Sequence, residues 1–190
     1  MTGREIFKKY ESIFDVLVKI EYIFPRKVRE WQFNSIRMKS GKSVIFLRYI
    51  LIRTLAKKVG KNVSIFQGVY LENIEELIIG DNVSIHQMCY LDAEGGLEIG
   101  DDVSIGHRCT ILSSNHRYDL ADVPIKYQGM ILKKTILKNN IWIGCGTTIL
   151  PGITIDTGCV VGSNSTVTKS IEKNSVVVGN PAKIIKKRIK

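Results

Sequence analysis

Aliphatic residues return at every sixth position over the C-terminal third of the chain. Ile143, Ile149, Ile155, Val161 and Val167 open the hexads IGCGTT, ILPGIT, IDTGCV, VGSNST and VTKSIE. A half-buried strand alternates every second residue and a helix every 3.6, so neither produces this run. A six-residue repeat predicts a parallel β-helix: one short strand and a turn per hexad, three hexads per coil, every sixth aliphatic side chain inside the prism. The pattern begins at Val59 as VGKNVS, IFQGVY and LENIEELI, continues as IGDNVS, IHQMCY and LDAEGGLE, then IGDDVS, IGHRCT and ILSSNH. The coil-opening hexads stand twenty residues apart because the third hexad carries two extra residues. Those extra residues, Asn73–Glu75 and Ala93–Gly95, should bulge from one edge. Asn or Asp beside Gly suits corners that need positive φ.

Residues 1–58 read as helical. Ile6, Phe7, Tyr10, Phe14, Leu17 and Val18 recur at helical spacing until Pro25. After a link containing Ser40-Gly41-Lys42, Val44–Val59 reads as a second helix bearing Arg48, Arg53, Lys57 and Lys58. It has two readings: a cap on the open end of the β-helix, or an amphipathic helix lying on anionic lipid. After Ile111 the hexads stop, and the repeat is expected to resume at Ile143. The intervening excursion, about 113–140, holds Tyr118, Leu120, Val123, Tyr127, Met130 and Ile131, too apolar for a solvated linker. It is expected to fold back or to reach a neighbouring subunit. Ser175–Gly179 reads as a last strand and Asn180-Pro181 as a turn. The organisation is a basic helical region 1–58, a β-helix 59–182 and a basic C-terminal helix 183–190.

The chain has 190 residues, enough for one domain with a sizeable core. Its longest apolar run, Val44–Ile52, is broken by Arg48 and too short to span a bilayer. No signal-peptide pattern opens it, and cytoplasmic residence is the expectation. The net charge of +10 is uneven. Residues 1–58 carry 14 Lys+Arg against 5 Asp+Glu, residues 59–182 carry 9 against 13, and the last eight carry 5 and no acid. Without a nucleic-acid module or aromatic interleaving, basic ends fit a phosphate-bearing small molecule or an anionic membrane surface, and no nucleic acid is expected. Cys89, Cys109, Cys145 and Cys159 form no C-x-x-C pair and read as reduced, small coil-filling residues.

Among the three histidines, His86 and His107 sit within hexads, whereas His116 stands where coil gives way to excursion. An imidazole beside such a cleft can take a proton from a hydroxyl near neutral pH.

From Val59 to Lys186 the chain resembles the hexapeptide-repeat (left-handed β-helix) acyltransferases. The resemblance is densest in NIWIGCGTTILPGITI, VVGSNSTVTKSI and VVVGNPAKIIK, from Asn140 to Lys186. It implies a left-handed prism, a homotrimer with active sites between adjacent prisms, and acetyl-CoA as acyl-donor substrate. Carried over by position, it implies His116 as general base and Trp142 as a wall of the coenzyme A groove. It also places Gly144, Cys145, Ser163, Thr168 and Lys169 along that groove, with Lys183 and Lys186 near the nucleotide phosphates. Asn115 and Asp119 fall beside the acceptor. His86 stands where galactoside-type relatives carry an acceptor-binding asparagine, which implies a different acceptor. Asp119, Asp122 or a backbone carbonyl could orient His116.

The expected function is acetyl-CoA-dependent O-acetylation of a sugar hydroxyl on a surface polysaccharide or its lipid-linked precursor. ILSSNHRYDLADVPIKYQG looks most like the branch that decorates lipopolysaccharide and capsule. The runner-up is acetylation of a small acceptor, such as a nucleotide-linked amino sugar, a free sugar, serine or an antibiotic. A carbonic anhydrase-like metal site and a non-catalytic scaffold are further alternatives, and no resident metal is expected. Peripheral contact with an anionic membrane through the basic N-terminal helices would suit a lipid-linked acceptor.

Overall fold

The computed structural model describes residues 3–188. The side chains of Arg4, Ile6, Lys8 and Lys9 lie outside the described residues, and with them one position of the predicted apolar stripe. So do the last two residues of the basic tail.

Three helices come first: α1 (Gly3–Glu21), α2 (Arg26–Ile36) and α3 (Lys42–Leu55). Sequence pattern gave only two. Pro25, read as a terminator, is also the N-cap of α2, where its φ of −55° suits a helix start. The charge-rich α2 buries little beyond Arg29 and Phe33, so its periodicity is faint. The last helix ends at Leu55, and Lys58–Val59 is already the first strand of the prism.

Of the two readings of α3, the structure selects the cap. Tyr49, Ile50, Leu51, Ile52 and Leu55 are buried under the first coil. Arg48, expected on a polar face, is 1% exposed. Its guanidinium donates to the carbonyls of Ile65 and Ile36 (each 3.0 Å), Arg37 (3.2 Å) and Lys39. Ile65 lies on the terminal coil, and its carbonyl has no rung below it. The other three acceptors lie at the end of α2 and its link, so the planar five-donor fork ties helical cap to prism. The Tyr49 hydroxyl donates to Gly60 O (3.1 Å) at the same end. The cap reading of α3 is thus what these contacts support, and Arg48 belongs to it rather than to a lipid-facing side.

Above this cap the chain winds three sheets into a prism. The first face stacks Lys58–Val59, Leu77–Ile79, Leu97–Ile99, Thr135–Leu137 and Thr154–Ile155. The second stacks Ser64–Ile65, Ser84–Ile85, Val103–Ile105, Ile141–Ile143, Val160–Val161 and Ser175–Val178, and ends on Lys183–Lys187. The third stacks Tyr70–Glu72, Tyr90–Asp92, Thr110–Ile111, Thr148–Ile149 and Thr166–Val167. All coil-to-coil pairings are parallel. Ile65, Ile85, Ile105, Ile143 and Val161 are fully buried one above another. Asn62, Asn82, Asp102, Asn140 and Asn174 take positive φ at equivalent corners, as the Asn/Asp-Gly pattern required. At that corner Gly80 leaves room for the Asp101 carboxylate, which accepts the Asp81 N–H at 2.7 Å.

Two boundaries are corrected. The repeat resumes at Thr135 rather than Ile143, since Thr135–Leu137 pairs in register with Leu97–Ile99 and Leu137 is fully buried. The polar run Lys138-Asn139-Asn140 is a prism corner like Gly100-Asp101-Asp102, not loop. The expected C-terminal helix is instead the strand Lys183–Lys187, antiparallel to Ser175–Val178. Eight residues are too few to sustain an isolated helix, whereas a strand gives partners to the open edge of the second face.

Candidate active site

The excursion is a hairpin: Ser114–His116 pairs antiparallel with Met130–Leu132, His116 opposite Met130. Its root is fixed by Asp92, buried at 3% exposure on the coil below. The Asp92 carboxylate accepts from Ser114 Oγ (2.6 Å) and from the N–H groups of Glu94 (2.9 Å) and Ser113 (3.2 Å). Burial opposes ionisation of Asp92, but these hydrogen bonds outweigh it and hold the carboxyl below its ordinary pKa. Ser113 Oγ in turn donates to Asp92 O (2.8 Å) and accepts from Gly95 N–H (2.9 Å). The two serines before Asn115-His116 thus hold the hairpin to its prism. Sequence reading missed Asp92; its signal was an Asp in the widened corner one coil below a Ser-Ser pair.

His116 itself is exposed, and its imidazole has no hydrogen-bond partner among the described residues. Its N–H donates to Asn115 Oδ1 (2.9 Å). Asp119 pairs with Arg117 (3.4 Å) and does not orient the histidine. Gln128 closes the loop by donating to Leu120 O (2.8 Å) and Val123 O (2.6 Å), so the excursion folds back on itself. Tyr118, Leu120, Ile125 and Tyr127 remain exposed on it. Between hairpin residues Asn115, Tyr118 and Ile131 and coil residues Leu150, Pro151 and Thr168 lies a groove of about 290 Å³. This brings together two expected site residues, Asn115 and Thr168, with Lys169 exposed next in the chain.

A second group occupies a different edge, between the second and third faces. Gly106, Gly144 and Gly162 stack there. A Cβ on Gly144 would stand 2.5 Å from the Ser163 nitrogen, and one on Gly106 2.7 Å from the Cys145 nitrogen. Glycine is what lets these coils pack. Neither the Cys145 nor the Ser163 N–H has an acceptor among the described residues. The Cys145 thiol and Ser163 hydroxyl are 3.3 Å apart. Trp142, 57% exposed, stands on the adjoining second face between Ser104 and Val160. Lys183 and Lys186 are exposed on the last strand.

Lower on the same edge the glycines give way to Phe66 and His86, whose rings stack at 4.7 Å and 11°. Burial, then the neighbouring His107, lowers the His86 pKa against an opposing hydrogen bond with Gln87. His86 is thus two coils below Cys145 and on another edge from His116. One chain alone keeps His116 apart from Cys145. Among the described residues, no three His, Cys, Asp or Glu side chains gather as metal ligands.

Residues 134–169 match the family described as bacterial transferase hexapeptide (six repeats). Over 54 residues the chain is 50% identical to a probable macrolide acetyltransferase of Lysinibacillus sphaericus, covering 28% of this chain and 30% of that one. Over 66 residues it is 41% identical to a putative lipopolysaccharide biosynthesis O-acetyltransferase of Escherichia coli K12, covering 35% and 34%. The matched stretches thus span about a third of these curated relatives. A galactoside acetyltransferase solved with coenzyme A superposes with a TM-score of 0.76 at 28% identity, over 85% of this chain and 80% of that one. Residues 134–169 thus carry the hexapeptide repeat of bacterial transferases, and the three-faced coils share the fold of the galactoside acetyltransferase.

Proposed function

We propose that the protein is an acetyl-CoA-dependent O-acetyltransferase acting on a sugar hydroxyl of a surface polysaccharide or its lipid-linked precursor. One observation carries the reading: His116 and the glycine-lined Cys145 corner occupy different edges of one prism, each exposed and each incomplete. In a left-handed homotrimer with prisms side by side, the hairpin edge of one copy would face the corner edge of the next. The exposed apolar tip Tyr118–Tyr127 supports such a contact.

In that groove His116 takes the acceptor hydroxyl's proton as the oxygen attacks the thioester carbonyl. The Cys145 N–H, without an acceptor among the described residues, supplies a donor to the developing oxyanion. The C–O bond forms, the C–S bond breaks, and the departing thiolate takes the proton from the imidazolium. Trp142, Gly144, Ser163, Thr168 and Lys169 line the path of the pantetheine arm, and Lys183 and Lys186 meet the nucleotide phosphates as point charges. Asn115, Asp119 and His86 lie on the acceptor side. A lipid-linked acceptor would hold the protein peripherally at the cytoplasmic face of the membrane.

The test is His116→Ala, expected to lower kcat/KM for acetyl transfer by about 10²- to 10⁴-fold with the trimer mass unchanged. Unchanged transfer would remove His116 from the chemistry, and no transfer by the wild-type protein would leave only a scaffold. A second reading, acetylation of a small acceptor, draws on the higher identity to the macrolide enzyme. Acetylation of free sugars or antibiotics by purified protein, with surface glycans unaltered in cells lacking the gene, would favour it.

A further inference from the structure

Helix α1 carries two apolar stripes. Phe7, Phe14 and Val18 are buried within the helical cap. Ile13, Val16, Leu17 and Ile20 recur at helical spacing and stay exposed. The outer stripe continues into the elbow before α2, where Ile23 is 78% exposed, with Tyr22 and Phe24 exposed beside it. Contiguous exposed apolar surface of this kind marks a contact with something.

The charges around it sort by sign. Glu11 holds Lys61 of the prism (2.7 Å), Asp15 holds Arg53 of α3 (2.7 Å), and Glu30 holds Arg26 (2.7 Å). Lys19, within the stripe's reach on α1, and Lys27, just past the elbow, are exposed and face no carboxylate within ion-pair distance among the described residues. Glu11, Asp15 and Glu30 are thus engaged within the fold and Glu21 is half-buried with one carboxylate oxygen turned away from solvent, while exposed ammonium groups flank the apolar stripe. No described helix is long and apolar enough to cross a membrane.

We propose that α1 lies in the plane of an anionic bilayer, with Ile13, Val16, Leu17, Ile20 and Ile23 entering the acyl boundary. Lys19 and Lys27 meet headgroup phosphates. The contact belongs to α1 and the elbow rather than to α3, where Arg48 is buried and Arg53 and Lys57 are paired. The inference takes its purpose from the lipid-linked acceptor proposed above, while the contact itself requires no acetyl transfer.

The experiment is co-sedimentation of the full chain with phosphatidylcholine vesicles, with and without phosphatidylglycerol, at low and high salt. Wild-type protein should bind the anionic vesicles and bind neutral ones at least about tenfold more weakly. Ile13→Ser/Ile20→Ser should lose binding to both, and Lys19→Gln/Lys27→Gln should lose the preference for anionic lipid, each with an unchanged circular dichroism spectrum. Equal binding of all three proteins, or no binding by wild type, overturns the proposal. So does a change of oligomeric mass in the Ile13→Ser/Ile20→Ser variant with vesicle binding retained, which would assign the stripe to a second copy. His116→Ala should bind vesicles like wild type, so failure of the catalytic reading is seen separately.

Discussion

The coils below the hairpin and those above it are built to different rules. Each rung of the second face takes 20 residues from Ser64 to Ser84 to Ser104, but only 18 from Trp142 to Val160. The lower coils carry widened corners, a helical cap and the Phe66–His86 stack in place of glycine. The upper coils are plain hexads with Gly144 and Gly162 at the corner, and residues 134–169 are the part that matches the family. A thioester donor common to many enzymes needs one invariant wall, whereas acceptors differ. On the activity proposed above, donor recognition resides above the hairpin, and acceptor choice and stability reside below it.

The strongest way to break that division is Arg48→Ala. It leaves the Ile65 carbonyl of the first coil and three carbonyls at the end of α2 and its link without their donor, and should cost about 3–5 kcal/mol by urea unfolding. Arg53→Ala, which removes a partly exposed pair with Asp15 and a cation–π contact with Tyr49 (5.5 Å), should cost less, about 1 kcal/mol. If the lower coils serve stability, the KM for acetyl-CoA of surviving Arg48→Ala protein stays unchanged.

Asp92→Asn tests the seam between the regions. Loosening the hairpin root should reduce kcat/KM by about 10- to 100-fold, through misplacement of His116 rather than loss of it. Stability also reports on it. The Asp92 carboxyl ionises below its ordinary 3.8 in the folded chain, so its stabilisation is complete above that value and is lost as pH falls through the lower folded-state one. The stability gap between wild type and Asp92→Asn should therefore narrow in acid, as measured by urea melts at neutral and acidic pH. A gap independent of pH would remove the ionised hub.

The smallest effect sharpens the upper half. Lys183→Gln/Lys186→Gln should raise the KM for acetyl-CoA by about fivefold in all at low ionic strength, fading with salt, and leave the acceptor KM alone.

Much of this architecture was legible in the chain because a period of six has few structural solutions. The Ile and Val positions identified the prism interior, and the Asn/Asp-Gly pairs its corners. What escaped reading was set by contacts between distant segments. Arg48 looked like a surface charge until the Ile65 carbonyl and the carbonyls ending α2 gave it a buried use. Lys183–Lys187 looked helical by charge, yet the open edge of Ser175–Val178 draws it into a strand. The corner Lys138-Asn139-Asn140 was hidden by its polarity. In the site, His116 and the Gly144–Gly146 corner stood out as motifs, whereas Asp92 acts through hydrogen bonds that cross a coil boundary. Those bonds have no period to betray them.

The stacking of rungs also works as a ruler. Neighbouring strands in a sheet lie about 4.8 Å apart, so each coil fixes a height along the prism. The hairpin leaves from the rung of Thr110–Ile111, and Cys145 sits one rung above Gly106, the corner glycine of that rung. Two copies standing side by side at equal height would present these levels to each other in a fixed offset. Adding three hexads above Cys145 would lengthen the prism and leave that offset intact. The same eighteen residues inserted between Thr135 and Cys145 would shift it by a full rung, so in the proposed trimer this prism tolerates added length at its top and not in its middle.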